Sequence, residues 1–191
     1  MKEEVNKEAH DLVYALGWVV HDFNHLEYTL AACVALLVNP SDPRIGHIVT
    51  AGKAYSALVD LFGTLCQYKL QEHMNKSLAN SINNLVKRLI EINELRNKLV
   101  HSRYLYVVEE KSFRRSKSSI KANKGLRQDK INVNSQEFFA LSGNIHKVMY
   151  ELGEFTKKEL VPSVLAPIWI NHDDDATVMW MGWLIIFSSD L

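Results

Sequence analysis

The chain is poor in the residues that would narrow its class at once. Among its 191 residues are two cysteines, Cys33 and Cys66, too few and too far apart for a disulfide framework or a zinc knuckle. Both sit in apolar helical patterns, where a free cysteine acts as a small buried hydrophobe. Net charge is absent too: Lys plus Arg and Asp plus Glu both number 22, so no global polyanion or membrane affinity follows. No apolar run is long enough to span a bilayer, since the longest, Ala176 to Phe187, falls short of the required length. That run reads instead as a packed terminal strand or short helix. The charged start, Met1-Lys2-Glu3-Glu4-Val5-Asn6-Lys7-Glu8, lacks the apolar centre of a signal peptide, so a reducing cytoplasm is the expected location. The four prolines fall in two pairs, Pro40 with Pro43 and Pro162 with Pro167, and each pair marks a break in regular structure.

What remains is helical periodicity. A first helix over Lys2 to Val38 carries the stripe Leu12, Leu16, Val19, Phe23, Leu26, Leu30, Val34 and Leu37. Its opposite side presents Tyr14, Trp18, His21, His25, Tyr28 and Ala32, so a cover on two sides is expected, from the rest of the bundle or from a second subunit. A second helix is expected over Arg44 to Leu70, with Ala54, Leu58, Leu61, Leu65 and Tyr68 inside; Gly46, Gly52 and Gly63 weaken its regularity. A third, Asn75 to Arg103, has the stripe Leu78, Ile82, Leu85, Leu89 and Ile92. A fourth opens with a capping box from Asn134 to Glu137 and runs through Phe138, Leu141, Ile145, Val148, Leu152 and Phe155. Between the third and fourth, Tyr104 to Val108 reads as a strand that turns at Glu109-Glu110-Lys111-Ser112 into a second. The expected fold is therefore mainly α, a four-helix-type bundle with a small basic β-hairpin insertion. It forms a single domain over 1–191, with a core over 1–160 and a C-terminal extension over 161–191.

Charge is uneven where it matters. Lys111, Arg114, Arg115, Lys117, Lys121, Lys124, Arg127 and Lys130 share their stretch with one acid, Asp129. Such a run attracts a polyanion or simply forms a solvated loop. Just upstream, Arg96 takes the next place in the third helix's apolar stripe, where a core residue should stand. With Asn97 and His101 it puts a permanent cation, an amide and an imidazole near one helix end. Residues 96 and 101 are separated by about 140° and roughly 7.5 Å on a continuous helix, so they do not point at one another and a site built from a single copy would be loose. Asn93, Asn97 and His101 share a ridge. The plainer readings pair Arg96 with Glu27 at the core edge and use His101 to cap orphan carbonyls.

The segment Glu94-Leu95-Arg96-Asn97-Lys98-Leu99-Val100-His101-Ser102-Arg103 resembles the signature of the HEPN superfamily: an arginine, a polar residue, three to five others, then a histidine. The resemblance covers about Met1 to Leu160. It implies a homodimeric, metal-independent endoribonuclease, often a toxin or an antiphage defence component with a cognate antitoxin protein. Many members only bind RNA, nucleotide or a partner protein. Under it, Arg96, Asn97 and His101 are the catalytic residues, and two copies meet in one cleft about a two-fold axis. His101 acts as general acid or base, Arg96 holds the scissile phosphate, Asn97 orients either, and the products are a 2′,3′-cyclic phosphate and a 5′-hydroxyl. Arg103, Lys111, Arg114, Arg115, Lys117, Lys121 and Lys124 would track the RNA backbone.

No cofactor and no membrane partner are expected. His21 and His25 have the spacing of a metal-chelating pair, with Asp22 between them. No third ligand follows at a suggestive distance, although His47 or His73 could be invoked. A packed aromatic–histidine face is the preferred reading. His172-Asp173-Asp174-Asp175 reads as a solvated turn.

Overall fold

The structure, a computed structural model, describes residues 2–110, 112–121 and 125–165, with side chains at 2–4, 6, 117–129 and 161–165 outside the description. Lys111, Lys124, Pro167, the His172–Asp175 turn and the apolar run 176–187 therefore lie outside the described residues. The chain is mainly helical, with a small antiparallel sheet between its last two long helices. In order come α1 (Lys2–Val38), α2 (Pro43–Thr50), α3 (Tyr55–Lys69), a 3₁₀ turn (Gln71–His73) and α4 (Lys76–Val100). Strands β1 (Arg103–Val107), β2 (Ser112–Lys121) and β3 (Gly125–Val133) follow, then α5 (Ser135–Phe155) and a π-helical stretch (Thr156–Leu165). No described helix is long and apolar enough to cross a membrane.

α1 stops where the sequence puts its first proline pair. Asn39 Oδ1 accepts from the Ser41 and Asp42 amides, and Asp42 then caps α2 by accepting from the Arg44 amide, with Pro43 in the first turn. The expected single helix from Arg44 to Leu70 is in fact two. Gly52 takes φ +70°, a left-handed conformation that ends α2 at little cost only for glycine, and α3 begins at Tyr55. The interruption resets the phase. Ala54 and Tyr68 are exposed and Leu61 and Leu65 half-buried, whereas Tyr55, Leu58, Val59, Phe62 and Cys66 form α3's buried side.

The residues group into two units, Met1–Glu27 with Arg88–Val148, and Tyr28–Lys87 with Met149–Leu191. In the second unit, Leu30, Val34, Leu37, Leu58, Phe62, Ile82, Leu152 and Leu160 are buried, and Phe62 meets the Phe155 ring edge-on. A Cβ on Gly46 would lie 2.2 Å from the Ala35 carbonyl oxygen, so only glycine lets α2 approach α1 this closely. Cys33 and Cys66 are free and buried, as expected; burial pushes the Cys33 thiol up to about 11, partly offset by its bond to Thr156.

In the first unit, Leu12, Ala15, Val19, Phe23 and Leu26 from α1 are buried, as are Leu89, Ile92 and Leu99 from α4 and Phe138, Leu141, Ile145 and Val148 from α5. α5 begins with the expected cap, Asn134 Oδ1 accepting from the Glu137 amide at 3.1 Å. The sheet has the order β1-β2-β3, so the anticipated hairpin is β1–β2 with one further strand paired outside it. Its register places Tyr104, Tyr106, Phe113, Arg115, Ile131 and Val133 on one face. Tyr104 packs edge-on against Phe138 of α5 from that face, and Arg103, Leu105, Arg114, Lys130 and Asn132 share the opposite one.

Candidate functional site

α4 carries its apolar stripe without fault through Leu78, Ile82, Leu85, Leu89 and Ile92, all buried. The next position, Arg96, is half-buried, and its guanidinium carbon lies 4.8 Å from the centre of the Phe23 ring on α1. The charge is thus held over an aromatic face rather than against an acid. No carboxylate among the described residues makes an ion pair with Arg96, so the proposed partnership with Glu27 does not form. Nη1 donates to Asn97 Oδ1 at 3.0 Å, Asn97 Nδ2 donates to Asn93 Oδ1 at 3.2 Å, and Nε is buried with no hydrogen-bond partner.

His101 corrects the sequence-based expectation most sharply. Arg96 Nη1 lies 3.4 Å from His101 Nε2 within the same chain. The 140° separation applies only to a continuous helix, and α4 ends at Val100. The chain turns there because the orphan carbonyls are taken locally: Ser102 Oγ donates to the Lys98 oxygen at 2.5 Å, and the Ser102 amide and Tyr104 hydroxyl donate to the Leu99 oxygen at 3.3 and 2.5 Å. These groups, not His101, cap the helix. His101 is exposed and swings back to the guanidinium. Burial pushes the Tyr104 phenol up to about 12, with the nearby Arg115 charge pulling the other way, so it stays a donor.

The basic residues divide by register. Arg103 opens β1, is exposed, and lies across Ser116 from Lys130; Arg114, ion-paired to Glu110, lies between Leu105 and Asn132 on the same face. Arg115 is on the other face, opposite Tyr104 and Ile131, with a buried Nε that has no hydrogen-bond partner. Lys117 and Lys121 belong to β2 and Arg127 to β3, but their side chains, like Lys111 and Lys124 entirely, lie outside the described residues.

A second polar cluster was only half visible in the sequence. Asp22, 2% exposed, accepts from Ser142 Oγ at 2.5 Å through Oδ2, and from His21 Nδ1 at 3.1 Å and His146 Nε2 at 3.0 Å through Oδ1. Burial alone would raise its pKa, but the three donors outweigh that and hold the carboxyl below the usual range. The four-residue spacing of Ser142 and His146 on α5 was the available signal. The serine bonds the carboxylate and not a histidine, so this is no nucleophilic triad.

No described group of three or more His, Cys, Asp or Glu side chains has a metal-binding arrangement. On the aromatic–histidine side of α1, Tyr14, Trp18 and Tyr28 are 55%, 40% and 53% exposed; Tyr14 meets Phe139 of α5 edge-on, and Trp18, His21 and His25 contact one another in a row. A cavity of about 350 Å³ lined by Glu8, Asp11, Ser112, Phe113, Asn134 and Gln136 lies in the same unit and includes none of the Arg96 cluster. No family model, curated protein or solved structure matches the chain.

Proposed function

We propose that the chain is a metal-independent endoribonuclease of HEPN type, working as a homodimer in a toxin–antitoxin or antiphage setting. The observation that carries the reading is the contact of the Arg96 guanidinium with the exposed His101 imidazole, in a cluster that no carboxylate among the described residues joins by an ion pair. A cation that has no fixed anion is suited to one that arrives, and a phosphodiester supplies it.

In the proposed reaction a ribose 2′-oxygen attacks the adjacent phosphorus and the P–O5′ bond breaks. The 2′-hydroxyl proton goes to one imidazole, and the 5′-oxygen takes a proton from the imidazolium of the second protomer. Arg96 stabilises the charge that grows on the phosphoryl oxygens. A 2′,3′-cyclic phosphate and a 5′-hydroxyl result. Arg103, Arg114 and Lys130 on the outward face of the sheet would follow the RNA backbone away from the scissile bond. The exposed Tyr14, Trp18 and His21 on α1 support pairing with a second copy. A cognate antitoxin protein would bind over the same basic or catalytic surfaces.

The second reading is a non-catalytic module that binds RNA, nucleotide or a partner protein through the same cluster. It is favoured by the Arg96 contact itself, which engages the imidazole nitrogen that chemistry would use. The two separate in one assay. Purified protein is incubated with labelled single-stranded RNA in chelator, beside His101→Ala. The nuclease reading expects cleavage that falls by ~10²–10⁴-fold in the variant. Equal cleavage by both removes the assignment, and binding without cleavage selects the second reading.

A further inference from the structure

Phe23 occupies an ordinary place in the α1 stripe, 2% exposed, yet its ring is the surface on which Arg96 rests. Four constraints act on that guanidinium. Its Cζ lies 4.8 Å from the centre of that ring, and the Asn97 side-chain oxygen accepts a hydrogen bond from Nη1. Nε is buried without a hydrogen-bond partner, and no described carboxylate competes for the charge. An aromatic ring and one amide thus flank the guanidinium, and Nη1 is the nitrogen that meets His101. Asn97 Nδ2 in turn donates to Asn93 Oδ1.

This has a consequence for the imidazole. A guanidinium carries only donors, so a contact from Arg96 Nη1 to His101 Nε2 requires a lone pair on Nε2 and places the ring proton on Nδ1. In water an imidazole side chain prefers the reverse, with the proton on Nε2. A ring held as the Nδ1–H form has its basic nitrogen already turned toward the cation that would bind the phosphate.

We propose that Phe23 is a positioning residue for the Arg96–His101 pair, seating the guanidinium so that His101 is held as the Nδ1–H tautomer, with Nε2 becoming the proton acceptor once an incoming phosphate draws Nη1 away from it. The proposal rests on the ribonuclease reading for its role in catalysis, but the tautomer is a property of the protein alone. It assigns His101 the base function in the protomer that holds this geometry, with the acid supplied by the second copy.

The test uses the full chain with nitrogen-15 in its histidines. Ring-nitrogen spectra at mildly alkaline pH should show protonated Nδ1 and bare Nε2 for His101. Phe23→Leu, which keeps an apolar group of similar size without a π face, should return His101 to a mostly Nε2–H form. It should also lower kcat for RNA cleavage by ~10–100-fold while KM stays within about twofold. Phe23→Tyr retains the ring and should restore both readouts, which separates the effect from general damage to the core.

A wild-type His101 in the Nε2–H form overturns the proposal, and so does a Phe23→Leu variant that keeps the Nδ1–H form. Should His101→Ala abolish cleavage while Phe23→Leu leaves tautomer and kcat untouched, the nuclease reading stands and the positioning role falls. Absence of cleavage by the wild type, with a tautomer that Phe23→Leu reverses, overturns the nuclease reading and leaves the positioning role intact.

Discussion

Asp22 and Arg96 are both charged groups set among apolar residues of the same unit, and they are handled in opposite ways. Asp22 is enclosed, and Ser142, His21 and His146 supply three hydrogen bonds to its two oxygens. Arg96 is half open, rests on a ring, engages one amide and one imidazole, and leaves Nε without a partner. A closed account of donors and acceptors belongs to architecture, because a buried charge is tolerated only when it is satisfied. A half-open cation with no ion-paired carboxylate among the described residues, beside an exposed imidazole, is what a site for an incoming anion requires. The contrast assigns the Asp22 cluster to holding α1 and α5 together and leaves the Arg96 cluster as the one to which the proposed chemistry is given.

The widest separation should come from exchanging the two losses. Arg96→Ala should reduce RNA cleavage by ~10²–10³-fold. Chemical denaturation of the same variant should register a stability change of only about 1 kcal/mol, the scale of an aromatic contact with a cation. Asp22→Ala should reverse that profile. It removes the acceptor of three hydrogen bonds, two of them from half-exposed histidines, and should cost about 2 kcal/mol of unfolding free energy in urea, while the fraction still folded cleaves RNA at close to the wild-type rate. A variant of Asp22 that lost cleavage without loss of stability would dissolve the contrast.

Acid sharpens it further. The Asp22 carboxyl is held below its ordinary value in the folded state, so its contribution is complete above the unfolded-state value of about 3.9 and is lost as pH falls through the lowered folded value. Wild type should therefore be more stable than Asp22→Asn at neutral pH, and their urea midpoints should converge toward the acid end. Parallel curves across that range would show that the three donors do not favour the ionised form.

The smallest effects belong to the sheet. Arg103→Ala and Arg114→Ala, on the outward face, should each lower the slope of log affinity for RNA against log salt by about 1. Arg115→Ala, on the face that carries Tyr104, should leave that slope unchanged. Filter binding of a labelled single strand over a salt series measures all three. An equal decrease for Arg115 would mean that the register does not divide the basic residues.

Much of the scaffold was legible because its signal is periodic. The stripes of α4 and α5 are buried at every position read from the sequence, and Asn134 caps as its spacing implied. The α2–α3 break was hidden because Gly52 acts through a backbone angle, and the residues inside α3 then follow a phase that counting from Arg44 misses. β3 was concealed by its own composition, since Gln128, Asp129 and Lys130 interrupt any apolar alternation and the strand depends on pairing with β2. The site was legible as a list but not as a geometry. Arg96 and His101 meet only because Ser102 and Tyr104 close α4 at Val100, and helix ends are the least regular part of the pattern. Ser142, 120 positions from Asp22, had no local signal to connect them.

The account comes down to whether the open cluster performs phosphodiester cleavage without a metal. Mapping the ends of RNA fragments produced in excess chelator tests this most directly. Wild type should leave 2′,3′-cyclic phosphate and 5′-hydroxyl ends that disappear in His101→Ala. Ends carrying 3′-hydroxyl and 5′-phosphate, or cyclic ends that persist undiminished in the variant, would contradict it.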